Sequence, residues 1–116
     1  MVAEVEGEVI GFVHVDVVDD AAHVEQVSVV PRWAGRRVGA RLLSAAEDWA
    51  LAHDFPCMTL CTYRDVPWNG PWYERLGWSA LPDASLGPQL GALRRRERDL
   101  GLEARPRQAM GKVFDA

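Results

Sequence analysis

No apolar run in the 116-residue sequence approaches the roughly 20 residues that cross a bilayer, so no membrane-spanning helix is expected. The opening MVAEVEGEVIGF carries three glutamates and no basic side chain, which excludes a secretory leader with a positive start and points to the cytoplasm. Only two cysteines are present, Cys57 and Cys61, four apart in CMTLC. On a strand they share one face at a separation unsuited to a bridge, so they read as buried free thiols. Neither G-x-x-x-x-G-K-[ST] nor G-x-G-x-x-G occurs, which removes two common nucleotide loops. His14, His23 and His53 share no ligand spacing with the cysteines, and no metal is expected. Without a repeat or a low-complexity tract, the length accommodates one domain, residues 1–116.

What is present is a soluble-domain composition, 48% hydrophobic and 26% charged, with a net charge of -4 that hides a segregation. Seven acids (Glu4, Glu6, Glu8, Asp16, Asp19, Asp20 and Glu25) and no Lys or Arg occupy the first 25 residues. Between residues 26 and 46 lie four arginines, Arg32, Arg36, Arg37 and Arg41, and no acid. Such a cluster beside glycines fits a small polyanion, while a solvated arginine face on a helix is the plainer alternative. An acidic chain lacks the broad positive face that nucleic acid rewards, so no nucleic-acid partner is expected.

β-branched residues mark strands over 2–6 and 8–18 joined at Gly7, and a third over 23–30 ended by Pro31, with Asp19, Asp20 and two alanines as the turn between. Three successive strands suggest an antiparallel meander. Val38, Leu42, Ala46, Trp49 and His53 then recur at helical spacing, to about residue 54. PCMTLCTY reads as a strand covered on both faces, PWYERLG as a short helix stopped by Gly77, and 78–81 as a further strand. Leucines and arginines over 83–101 suggest an inserted polar surface helix stopped by Gly101, and 105–114 returns as a last strand despite Pro106 and Gly111.

In VEQVSVVPRWAGRRVGARLL a strand ends at proline, a loop with Gly35 follows, and a helix begins near Gly39. The first-turn N–H groups of that helix have no intrahelical partner, so they can bind an anion, assisted by the helix dipole and by arginine. Gly39 could equally serve close helix-to-strand packing.

VVPRWAGRRVGARLL followed by WYERLGW resembles, in order and spacing over about residues 1–81, the two signature segments of the GNAT superfamily of acyl-CoA-dependent N-acetyltransferases. The resemblance implies an α+β fold, a mixed and mainly antiparallel sheet flanked by helices. Registered on Pro31 and Leu42, Ala34 stands where the family has Gln or Arg, and Arg37 where it has its first glycine. Arg37 must then take a glycine-like conformation, with Arg32 or Arg36 replacing the missing side chain. The resemblance implies that the edge of Val27, Ser28 and Val29 pairs with the pantetheine arm of acetyl-CoA. Gly35, Arg36, Arg37, Val38, Gly39 and Ala40 would hold its diphosphate, and the thioester would lie where this strand splays from the one near 58–62. Tyr73 stands at the family's general-acid tyrosine and Glu25 at a frequent general-base position, on the face of Val27 and Val29 if no bulge intervenes. His23 is a second candidate base. Asn69, four residues before Tyr73, can share its helix face and reach the cofactor. Trp68 and Trp72 could wall an acceptor pocket.

The expected activity is acetyl transfer from acetyl-CoA to a primary amine of a small molecule or peptide. The acidic first 25 residues favour a cationic acceptor. A non-catalytic acyl-CoA-binding module is the alternative from another class. Relatives usually open with a strand and one or two helices ahead of the hairpin that begins here at Val2. The late start fits a start codon inside a longer gene, a short form completed by a partner, or a binding-only domain. Apolar sheet surface left uncovered would favour a homodimer.

Overall fold

The computed structural model describes residues 1–114. Six strands form one sheet in the order β1-β2-β3-β4-β6-β5. They are β1 (Val2–Val5), β2 (Glu8–Val18), β3 (Ala21–Val29), β4 (Cys57–Tyr63), β5 (Ser79–Leu81) and β6 (Arg107–Val113). The expected meander is β1-β2-β3, all antiparallel, and only the β3–β4 pair is parallel.

Both hairpin turns are two residues long and left-handed, Glu6-Gly7 at φ 51° and 81° and Asp19-Asp20 at φ 52° and 61°. Positive φ at both central positions matches the twist of the flanking strands, and aspartate tolerates that region better than most residues. The second turn is therefore shorter than the sequence suggested. Ala21 and Ala22, expected in it, are buried and pair with Val18 and Val17.

Helix α1 (Val38–Ala52) buries Val38, Leu42, Leu43, Ala46 and Ala50, a single stripe, against one sheet face. Beneath it lie Val13, Met58, Leu60 and Met110, all at most 2% exposed. Helix α2 (Gly70–Arg75) lies on the same face, with Trp72, Tyr73 and Leu76 packed against that core.

Helix α3 (Pro88–Asp99) covers the other face rather than lying free on the surface, with Leu90 buried against Val18 and Ala109. Two polar devices seat it. The first is Asp19 in the β2–β3 turn, whose carboxylate accepts from the N–H groups of Gln89 and Leu90, both at 2.8 Å. This supplies from another element the cap that Gly87 cannot, and a negative charge suits the positive helix end. A Cβ at Gly87 would stand 2.5 Å from that carboxylate, so only glycine admits it. The second device is Arg94, 3% exposed, which donates to Glu97 at 2.7 Å and to the Arg107 carbonyl at 3.1 Å, while Arg107 donates to the other Glu97 oxygen at 3.0 Å. A buried guanidinium persists where carboxylates match its charge, here Glu97 and, 3.6 Å from its Nε, Asp83.

Asp19→Ala is expected to destabilise the domain by about 1 kcal/mol, the worth of a side-chain cap, seen as a melting-temperature fall of roughly 3–6 °C. Asp20→Ala, next to it in the same turn, gives the control.

Candidate active site

Strands β3 and β4 pair over three rungs only, Ala22–Met58, His23–Thr59 and Val24–Leu60. Beyond them β3 runs on to Val29 paired with β2 alone, and β4 to Tyr63 paired with β6 alone. The sheet opens there, leaving the facing main-chain groups of the two strands without a ladder partner. A cavity of about 610 Å³ flanks the opening on the α1 side. Its walls are Val27 and Val29 from β3, the loop residues Trp33, Ala34 and Gly35, the start of α1, and Trp68, Asn69, Trp72 and Tyr73 around α2.

The start of α1 is polar without the help of a side-chain cap. Its first intrahelical bond runs from the Arg41 N–H to the Arg37 carbonyl at 3.1 Å, so the N–H groups of Val38, Gly39 and Ala40 face the cavity mouth without intrahelical partners. Arg37 adopts φ 63°, the left-handed conformation expected of a residue standing for glycine, and Gly35 lies at φ 78°. Close packing does not dictate Gly39: a Cβ there would meet Trp72 at 3.6 Å and Val29 at 3.9 Å, ordinary contact distances. Those amides, the helix dipole and the Arg37 side chain suit a phosphate-bearing ligand.

Tyr73 is half-buried, its ring edge-on to Trp72 and Trp78. Burial pushes its phenol above the usual tyrosine range, so it stays protonated at neutral pH. Its hydroxyl has no hydrogen-bonding partner among the described residues. Asn69 lines the same cavity, and its Oδ1 accepts from the Thr62 hydroxyl at 2.8 Å, leaving the amide NH₂ to turn outward.

Nine of the expected positions thus border one cavity: Val27, Val29, Gly35, Arg37, Val38, Gly39, Ala40, Asn69 and Tyr73. Three do not. Ser28 pairs with Phe12, and strand alternation turns its side chain from the face of Val27 and Val29, although its main chain belongs to the open edge. The Arg36 guanidinium lies over the Trp33 ring, 4.9 Å from its centroid, and borders a hollow beside β1 instead. Arg32, a possible substitute for the missing side chain at Ala34, is paired with Glu8.

Glu25 is the third. His14 pairs with Gln26 but Val15 with Val24, so Glu25 is the extra residue of a bulge. The bulge breaks the alternation, and Glu25 does not share the face of Val27 and Val29 as an unbroken strand would require. It borders a second cavity, about 470 Å³, on the α3 side of the sheet, together with His23, Cys61 and residues of α3. His23 is almost fully buried, its Nδ1 2.8 Å from the Thr59 hydroxyl and its Nε2 3.8 Å from a Glu25 oxygen. Desolvation lowers its pKa, outweighing the opposing pull of Glu25, Asp16 and Glu97, so the ring is neutral at pH 7. Cys61 is half-buried rather than buried, and desolvation pushes its thiol up to about 12. It is a poor nucleophile at neutral pH.

Trp33 and Thr62 were missed by sequence reasoning. The aromatic residue directly after Pro31-Arg32 was a usable signal for the first, whereas nothing in CMTLCTY marks the threonine that orients Asn69. Among the described residues no group of three His, Cys, Asp or Glu side chains could hold a metal, and no helix is long and apolar enough to cross a membrane.

The site is thus a half-open α+β sheet with an uncapped helix start beside the opening. The model of the Acetyltransferase (GNAT) family matches residues 1–78, and the chain belongs to that family. Its fold is similar to N-acetylglutamate synthase from Neisseria gonorrhoeae, solved with coenzyme A and N-acetyl-glutamate (TM-score 0.76, 16% identity, 99% of this chain and 25% of that one). It is also similar to the PaiA N-acetyltransferase from Thermoplasma acidophilum in complex with coenzyme A (TM-score 0.71, 15% identity, 97% of this chain and 58% of that one). A Bacillus anthracis protein described as a streptothricin acetyltransferase, solved with acetyl coenzyme A, gives a TM-score of 0.78 at 19% identity over 98% of this chain and 62% of that one. The chain spans less than two thirds of each of these proteins.

His23 yields a pH prediction. With its folded pKa below the unfolded value near 6.5, the unfolded chain binds the extra proton between the two, so stability rises with pH through that window. Denaturant midpoints should fall as pH drops below about 6.5, and His23→Gln should remove that part of the slope.

Proposed function

We propose that this chain is an N-acetyltransferase that moves the acetyl group of acetyl-CoA to a primary amine of a small molecule or peptide. One observation carries the reading. The unpartnered amides at the start of α1, the unpaired edge of β3 and the protonated, unbonded phenol of Tyr73 all open on a single cavity. These residues fit coenzyme A. The N–H groups of Val38, Gly39 and Ala40, with Arg37, would hold the diphosphate. The main chain of Val27, Ser28 and Val29 would pair with the pantetheine arm as an added strand, and the Asn69 amide would bond it near the thioester.

In this reaction Glu25, reached through the opening from the α3 side, accepts the proton of the acceptor ammonium, with His23 behind it. The freed amine nitrogen bonds to the thioester carbonyl carbon, the carbon–sulfur bond breaks, and the nitrogen releases its second proton to solvent to leave the neutral amide. Tyr73 gives its proton to the departing thiolate and recovers one from solvent. Transfer is direct, because the Cys61 thiol, at about 12, is not ionised to take up the acetyl group itself.

Calorimetry with coenzyme A and a thiol-release assay over a panel of amines test this. Tyr73→Phe should keep coenzyme A binding and lower kcat by about 10²-fold, the lower end of what a general acid supplies. Full turnover in that variant would remove Tyr73 from the chemistry. Tight binding with no turnover in the parent chain would mark a binding module, and no binding heat would overturn the assignment altogether.

A further inference from the structure

The cavity on the α3 side shows a division of charge. Leu93, Arg96, Glu97 and Leu100 all border it, and their spacing of three, one and three puts them on one face of α3. Glu97 is already matched, by Arg94 at 2.7 Å and Arg107 at 3.0 Å. The Arg98 guanidinium is likewise engaged, by Asp83 at 3.2 Å. Arg96 is exposed, and its guanidinium has no ion pair or hydrogen bond with any described residue. It is the uncompensated charge on this wall. The opposite wall presents Glu25, whose carboxylate is about half exposed. Of the seven acids in the first 25 residues, Glu25 alone borders the cavity; Glu8 is paired with Arg32, Asp19 caps α3, and Asp16 faces His14. The acidity of that segment reaches the cavity through Glu25, and through Asp16 paired opposite His23, while Arg96 supplies positive charge on the other wall.

We infer that the acceptor is a primary amine that also carries a carboxylate, its ammonium directed to Glu25 and its carboxylate to Arg96, with an apolar body against Leu93 and Leu100. This deepens the amine-acetylation reading given above and rests on it. A guanidinium presents paired donors that match the two oxygens of a carboxylate. The leucines on either side keep apolar surface against the ligand, as small-molecule sites generally do.

Initial rates with acetyl-CoA over the L-amino acids, their amides and the corresponding decarboxylated amines test the inference. The best acceptor should be a free acid, used at least tenfold more efficiently in kcat/KM than its own amide and decarboxylated amine. Arg96→Ala should raise KM for that acid about tenfold, leave kcat and coenzyme A binding unchanged, and leave the amide unaffected, with Arg96→Lys restoring part of the loss. Amides or simple amines used as well as the acids, or an Arg96→Ala effect equal on acid and amide, would overturn the carboxylate assignment while leaving amine acetylation in place. No acetylation of any compound by protein that still binds acetyl-CoA would overturn amine acetylation itself, and the carboxylate assignment with it.

Discussion

The three-rung limit on β3–β4 pairing is the constraint on which the rest of the structure depends. Parallel strands that continued side by side to Val29 and Tyr63 would close the sheet and satisfy their facing amides internally. Two neighbours keep them apart. β2 holds β3 along its whole length, with a bulge at Glu25 that increases the local twist, and β6 holds β4 through seven residue pairs. Each strand is therefore stable on one edge and unsatisfied on the other. A buried main-chain group without a partner costs about 1–3 kcal/mol, so such an edge persists only where water or a ligand reaches it. The cavity beside Val27 and Val29 provides that access.

The start of α1 follows the same logic. A non-glycine residue in the left-handed region costs about 1–2 kcal/mol, and Arg37 accepts this directly ahead of a helix that lacks a side-chain cap. The stripe from Val38 to Ala50 offsets it, because burying even two of those aliphatic side chains is worth more than the strain. Packing in the core thus keeps polar groups at the rim unsatisfied. A rim of that kind is electrostatically prepared for an anion before one arrives, with no reorganisation needed on binding.

Much of this was legible in the sequence, since local patterns dictate local elements. The β-branched runs, the 3–4 spacing after Ala34 and the arrest at Gly77 located strands and helices, and the glycine-arginine loop located the uncapped start of α1. The glycine-like conformation of Arg37 was implied by the family resemblance, and the structure has it at φ 63°. What could not be read depends on pairing between distant segments. A bulge is a mismatch between two strands, so nothing near Glu25 announced that its carboxylate would leave the face of Val27 and Val29. Asp19 looked like an ordinary turn acid, and its use as the cap of a helix 70 residues away is a tertiary fact. The Arg94–Glu97–Arg107 cluster is hidden for the same reason. In the sequence RRRERD the arginines are equivalent, and only the docking of α3 on Val18 and Ala109 decides which is buried and which is left to solvent.

That docking also divides the labour between the two faces of the sheet. The α1 face carries the backbone amides and the protonated tyrosine, groups suited to an anionic thioester cosubstrate and its leaving thiolate. The α3 face carries Glu25, a neutral His23 and Arg96, whose guanidinium has no partner among the described residues. Tyr73, kept protonated by burial, cannot act as a base at neutral pH. Had β3 kept strict alternation, the Glu25 carboxylate would have pointed into the cavity that Tyr73 borders, beside a helix start suited to an anion of its own sign. The extra residue at Glu25 moves it across the sheet, and the two cavities lie on opposite faces near the place where β3 and β4 part.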